Sequence, residues 1–204
     1  DEGERTADFA RRLTEMRYEP TIDKVGNVYV TIPGTDPAAP TVMVAGHLDT
    51  VFPRSLPLEV KEENGVYCCP GICDDTRALA EVLSLARAFR QADLKPVGTV
   101  ILCGNVGEEG LGDLRGVKEL FRTLEIDAFI SLDHWGVDEI LLDATGSKRY
   151  KVTYRAEGGH SFGAFGKPNP IHAMGRAIHS IAQLHGLKEP KTTFNVGVVW
   201  GGTS

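Results

Sequence analysis

The chain has 204 residues, of which 42% are hydrophobic and 25% charged, so it can bury a sizeable core and is neither disordered nor fibrous. Its formal net charge of −6 argues against a nucleic-acid partner, because phosphate binding needs a basic face. No polybasic cluster marks a membrane surface, and no apolar run reaches the roughly 18–20 residues that a spanning helix requires.

In chain order, Phe9, Leu13 and Met16 fall at helical spacing and predict an amphipathic helix over residues 5–16. Two short extended stretches follow, around 18–23 and 27–32, closed by Pro33-Gly34. Residues 41–46 form a continuous apolar run suited to a strand buried on both faces. Leu79, Val82, Leu83, Ala86 and Phe89 mark one face of a helix over 74–91. A second buried strand is expected at 98–103, a helix at 114–124 and a third strand at 126–132. Strands alternating with helices at these lengths imply an α/β fold, a mostly parallel sheet with helices on both faces. Beyond Thr145-Gly146 the character changes. Residues 148–156 alternate polar and apolar, and a Gly-rich turn, a helix over 171–185 and a strand at 193–200 follow. The expected organisation is an α/β domain over 1–145 and a second, partial α+β domain over 146–204.

The four cysteines, Cys68, Cys69, Cys73 and Cys103, offer neither a disulfide framework nor two C-x2-C pairs. They read as reduced thiols packed as small hydrophobes, pointing to a cytoplasmic location.

Four polar clusters interrupt this pattern. His47 and Asp49 leave the 41–46 strand two residues apart, so they share a side. A carboxylate beside an imidazole fixes its tautomer and frees the other nitrogen for a metal, although a local pair at a strand end reads the same way. Asp74 and Asp75 open a helix, where capping explains one acid but not two. Glu108 and Glu109 stand in a Gly-bounded loop after the second strand. Paired carboxylates repel unless a cation or proton compensates, so one could bind metal while the other acts as a base; a solvated acidic loop is the alternative. Asp133, with His134 beside it, follows the third strand, where a lone Asp also serves as a turn residue. Three of the four clusters follow buried strands, and the carboxyl ends of parallel strands are where ligands gather in such sheets. One His with several carboxylates suits zinc, or cobalt or manganese.

In order and spacing, His47-x-Asp49, Gly71-x-x-Asp74-Asp75, Glu108-Glu109 and Asp133 resemble the M20 family of zinc peptidases, which includes aminopeptidases, carboxypeptidases and N-acyl-amino-acid deacylases. Gly158-Gly159-His160-Ser161 and residues 193–197 are similar to that family's lid domain. The resemblance implies two zinc ions per full-length subunit. His47 and Asp133 would hold one, Glu109 the other, and Asp74, joined to Asp75 by a cis peptide, would bridge them. Glu108 would be the general base and acid, Asp49 would orient His47, and His160 would polarise the scissile carbonyl, often across a homodimer formed through the lid. An Asp at position 133 leans toward an aminopeptidase on short peptides, with an N-acyl-amino-acid deacylase or a carboxypeptidase as alternatives. A non-catalytic metal-binding or dimerisation module is the reading from another class. The family's last zinc ligand and its substrate-binding Asn and Arg come later than residue 204, so the chain is expected to be C-terminally truncated, inactive or nearly so alone, with an enzyme as its full-length parent.

Overall fold

Residues 2–133, 136 and 138–203 are described by the computed structural model of the chain. They fall into two compact units, Asp1–Ile140 and Leu141–Ser204.

The first unit is built on a five-stranded sheet. In chain order its elements are α1 (Gly3–Glu15), β1 (Thr21–Ile22), β2 (Val28–Ile32) and β3 (Val42–His47). A hairpin of β4 (Lys61–Glu63) and β5 (Val66–Cys68) follows, then α2 (Ala78–Gln91), β6 (Val100–Asn105), α3 (Arg115–Thr123) and β7 (Ala128–Ser131). The strand order is β1-β2-β6-β3-β7, and β2 alone runs against the other strands. The mostly parallel α/β sheet expected from the alternating pattern is therefore present.

Period-two alternation sorts the side chains to the two faces. Val28, Val30 and Leu102 pack with Phe9 and Leu13 of α1 and Leu79, Val82 and Ala86 of α2. Met43, Ala45, Ile101 and Cys103 turn to the opposite face, where Leu120 of α3 covers them. Burying apolar area at about 25 cal/mol per Å² on both faces of β3 and β6 makes this pair the anchor of the unit. Backbone pairing places His47 opposite Asn105 at the ends of the two parallel strands. The ladder continues past His47, with Leu48 N–H donating to Asn105 O at 2.7 Å, and on the other side of β3 Leu132 N–H, just after β7, donates to Ala45 O at 3.0 Å.

The structure corrects several expectations. The helix expected from residue 74 starts at Ala78, because Asp74 (φ −109°, ψ 96°) and Asp75 (φ −127°, ψ 32°) leave the helical region; the cis peptide bond that the resemblance implied between them is present. Neither aspartate caps that helix. The hairpin β4–β5 was not expected. Of the four cysteines, all free, only Cys103 is buried; Cys68 ends a two-stranded ribbon that no layer covers, and Cys73 is exposed in the irregular turn.

In the second unit, α4 (Pro170–Ala182) begins with Pro170 in its first turn, and the Asn169 side chain accepts from the Ile171 and His172 N–H groups. The strands expected at 148–156 and 193–200 do not form ladders among the described residues. Alternation makes a strand only where a neighbour supplies backbone partners. Instead Lys151 lies over the Trp200 ring, 5.5 Å from its centroid. Among the described residues no helix is long and apolar enough to cross a membrane.

Candidate metal centre

Three parallel strands deliver the candidate residues to one end of the sheet. His47 is the last residue of β3, the Glu108-Glu109 loop follows β6, and Asp133 comes two residues after β7. Asp74 and Asp75 arrive from the irregular turn that precedes α2. Gly46 permits this approach, since a Cβ there would stand 3.0 Å from Asp75 Oδ2 and 3.0 Å from the Ala78 Cβ.

His47 is 1% exposed and anchors the cluster. Its Nδ1 lies 3.0 Å from the Asp49 carbonyl oxygen, which can only accept, so Nδ1 carries a hydrogen and Nε2 is left to bind. Nε2 is buried, 3.0 Å from Asp74 Oδ1 and 3.9 Å from Asp133 Oδ1, yet it makes a hydrogen bond with neither. Burial alone would lower the pKa of this imidazole. The carboxylates of Asp49, Asp75 and Asp133 outweigh burial and push it up to about 9.

Asp49 was expected to orient the ring through its carboxylate. That carboxylate is 3.6 Å from Nδ1, and the backbone carbonyl makes the bond instead. The Asp49 oxygens accept from the Glu108 N–H at 3.2 Å and the Glu109 N–H at 2.7 Å, so Asp49 holds the acidic loop. Burial acts to raise its pKa, but the His47 ring and the two loop N–H groups overcome it and hold the carboxyl far below the ordinary range.

Glu108 and Glu109 are both pushed up, by burial first; like-charged Asp133 and Asp49 add to the shift of Glu108, and Asp74 to that of Glu109. Asp75 had been given no role beyond its cis peptide to Asp74, and it is the residue that sequence reasoning missed. It is 1% exposed, and its Oδ2 accepts from the His47 backbone N–H at 2.7 Å. Burial, with Asp133 and Asp74 close by, pushes its carboxyl up to about 6 against the opposing pull of His47. The signal available was the pair of adjacent acids, of which a cap can use only one.

Two donor sets converge within 4.8 Å, His47 with Asp74 and Glu109, and His47 with Asp75 and Asp133. All four expected ligands thus gather around one imidazole, with Asp75 standing beside Asp133 where Asp74 had been expected. Such a set, crowding carboxylates around a buried imidazole nitrogen with no hydrogen bond, fits a divalent cation. Arg77 supports it from behind, donating to Glu81 at 2.9 Å and to the Leu132 carbonyl, next to Asp133, at 3.4 Å. His134 lies outside the described residues. His160 belongs to the second unit, where its Nδ1 accepts from the Phe162 and Gly163 N–H groups, each at 3.3 Å, so that in the neutral ring Nε2 carries the proton.

The sequence of Peptidase family M20/M25/M40 matches residues 43–194, a span that includes every one of these residues. The chain belongs to that family. The M20 chain is similar in fold to the aminopeptidase PepT from Bacillus cereus ATCC 10987, with a TM-score of 0.53 and 24% identity over 64% of this chain and 37% of that one. A tripeptidase from Staphylococcus aureus subsp. aureus mu50 gives a TM-score of 0.52 and 20% identity over 63% of this chain and 37% of its own. At these identities the likeness concerns the fold, and the M20 chain spans little more than a third of either protein. No curated protein sequence matches it.

Proposed function

We propose that the natural protein containing this chain is a dinuclear zinc hydrolase that releases N-terminal residues from short peptides. The observation that carries the reading is the buried His47 imidazole, tethered at Nδ1 and presenting Nε2 to carboxylates from three separate segments. His47, Asp74, Glu109 and Asp133 would hold the ions, with Asp75 fixing the backbone of His47. Bound ions of this kind lower the pKa of water and polarise an amide carbonyl.

The chain's own residues would do the rest. Glu108, whose carboxyl burial pushes up, is suited to take a proton from the attacking water and pass it to the departing amine. Asp49 keeps Glu108 and Glu109 in place through their N–H groups. By the family resemblance, His160 would supply a donor for a developing oxyanion, a role worth about 3–4 kcal/mol where such donors have been removed. Peptide hydrolysis is favoured over deacylation by Asp133, the residue type that leans toward aminopeptidases in the family resemblance. Exposed Phe162, Phe165, Val198 and Trp200 support contact of the second unit with a second copy of the chain, a point for analytical ultracentrifugation.

The test is Glu108→Gln in the natural protein, assayed on tripeptides and on N-acetyl amino acids. Turnover should fall about 100- to 10,000-fold while two zinc ions per subunit remain bound. Loss of zinc together with activity would make Glu108 a ligand and refute its assignment as base. Turnover of N-acetyl amino acids alone would refute the peptide substrate.

A further inference from the structure

The acidic loop between β6 and α3 is built around a side chain from a distant part of the sequence. Asn27, fully buried immediately before β2, offers Oδ1 to the Val106 N–H at 3.0 Å. Its Nδ2 donates to the Gly116 carbonyl at 3.0 Å and to Asp23 Oδ2 at 2.6 Å. Val106 and Gly116 are the two ends of the loop that carries Glu108 and Glu109, and Gly116 N–H also donates to Val106 O at 3.0 Å. One primary amide therefore closes the loop at its base, accepting from one end and donating to the other. Asp23 sets the amide's orientation, since its Oδ1 is occupied by the N–H groups of Val25, Gly26 and Asn27 at 2.9–3.0 Å. The fit leaves no slack: a Cβ on Gly116 would stand 2.3 Å from Val106 O and 2.4 Å from Asn27 Oδ1.

We propose that Asn27 is a positioning residue of the metal centre. It fixes the base of the 107–115 loop and thereby sets where the Glu109 carboxylate stands relative to His47 and Asp74. The inference rests on the metal-site reading given above. Asp49 grips the loop near Glu108 and Glu109 and Asn27 grips it at the base, and a ligand must be held to within about 0.5 Å to be useful. With the amide gone, the buried Val106 N–H loses its partner and the base of the loop keeps only the Gly116 N–H to Val106 O bond. Asn27 touches no ion and acts only through the loop.

Cobalt(II) alone is the probe, followed by calorimetry and by its visible absorption, which reports coordination. Asn27→Ala should weaken cobalt binding about 10- to 100-fold, as loss of a supporting partner does at metal sites, and change the spectrum of what binds. Leu13→Ala, a core truncation away from the loop, should lower stability and leave affinity and spectrum as they were. A folded Asn27→Ala chain that binds cobalt like the wild type overturns the inference while the metal-site reading stands. A wild-type chain that takes up no cobalt overturns both. Should Asn27→Ala fail to fold, Asp23→Asn asks the same question from outside the core by setting an NH2 against Asn27 Nδ2. Weaker binding would support the positioning role and unchanged binding would overturn it.

Discussion

Replacing Asp49 with Asn isolates what the carboxylate does for the acidic loop. The substitution keeps the shape and one oxygen, so one of the two N–H groups, from Glu108 at 3.2 Å or Glu109 at 2.7 Å, retains an acceptor. The other then faces an NH2 group. One charge-assisted hydrogen bond is lost, the second becomes a neutral one, and a half-buried N–H is stranded, for a total of about 3 kcal/mol. That corresponds to a roughly 100-fold rise in local opening. Native-state hydrogen exchange read by NMR should register it at the Glu108 and Glu109 amides, while Leu102, in the core of β6, stays protected. The sign with pH follows from the same carboxylate. Its folded pKa lies below the unfolded value, so its stabilisation is present above about pH 4 and is lost as pH falls through the folded value. Equal protection of Glu108 and Glu109 in wild type and Asp49→Asn would refute the clamp.

Met43→Ala removes a fully buried β3 side chain from the sheet face under α3 and should cost about 2–5 kcal/mol in urea unfolding; a loss below about 1 kcal/mol would mean that the face covered by α3 is not a packed core. In the native chain a disulfide reagent should modify Cys68, Cys69 and Cys73 readily and reach Cys103 only on unfolding, since burial both hides that thiol and raises its pKa; four thiols reacting at one rate would contradict the assigned burial.

The core was legible because burial on two faces leaves a strong trace. The runs that became β3 and β6 are apolar at successive positions, and Leu79, Val82 and Ala86 recur at helical spacing. The candidate metal ligands were legible for a related reason, being acids and a His placed where buried strands end. The turn at 72–77 was not, because periodicity reports the face a residue occupies and carries nothing about a backbone that departs from its helix. Asp75 was discounted accordingly. The hairpin was missed despite a clear local signal, since Asn64 (φ 54°) and Gly65 (φ 78°) form a two-residue turn between Glu63 and Val66. In the second unit the reverse error arose, where alternation in 148–156 predicted a strand without a partner to pair with. Asn27 could not be found from composition, because its importance lies in contacts 79 and 89 residues away.

The sheet order has a consequence for how the cluster would loosen. His47 sits at the end of a strand flanked on both sides, whereas Asp133 is delivered by β7, which among the described residues is an edge strand with Ala128 and Ile130 exposed. Peripheral strands fray first, so Asp133 can swing away while the imidazole stays fixed. A cation gripped by both would act as a rivet at the sheet's margin, and its departure would be felt there before the interior noticed.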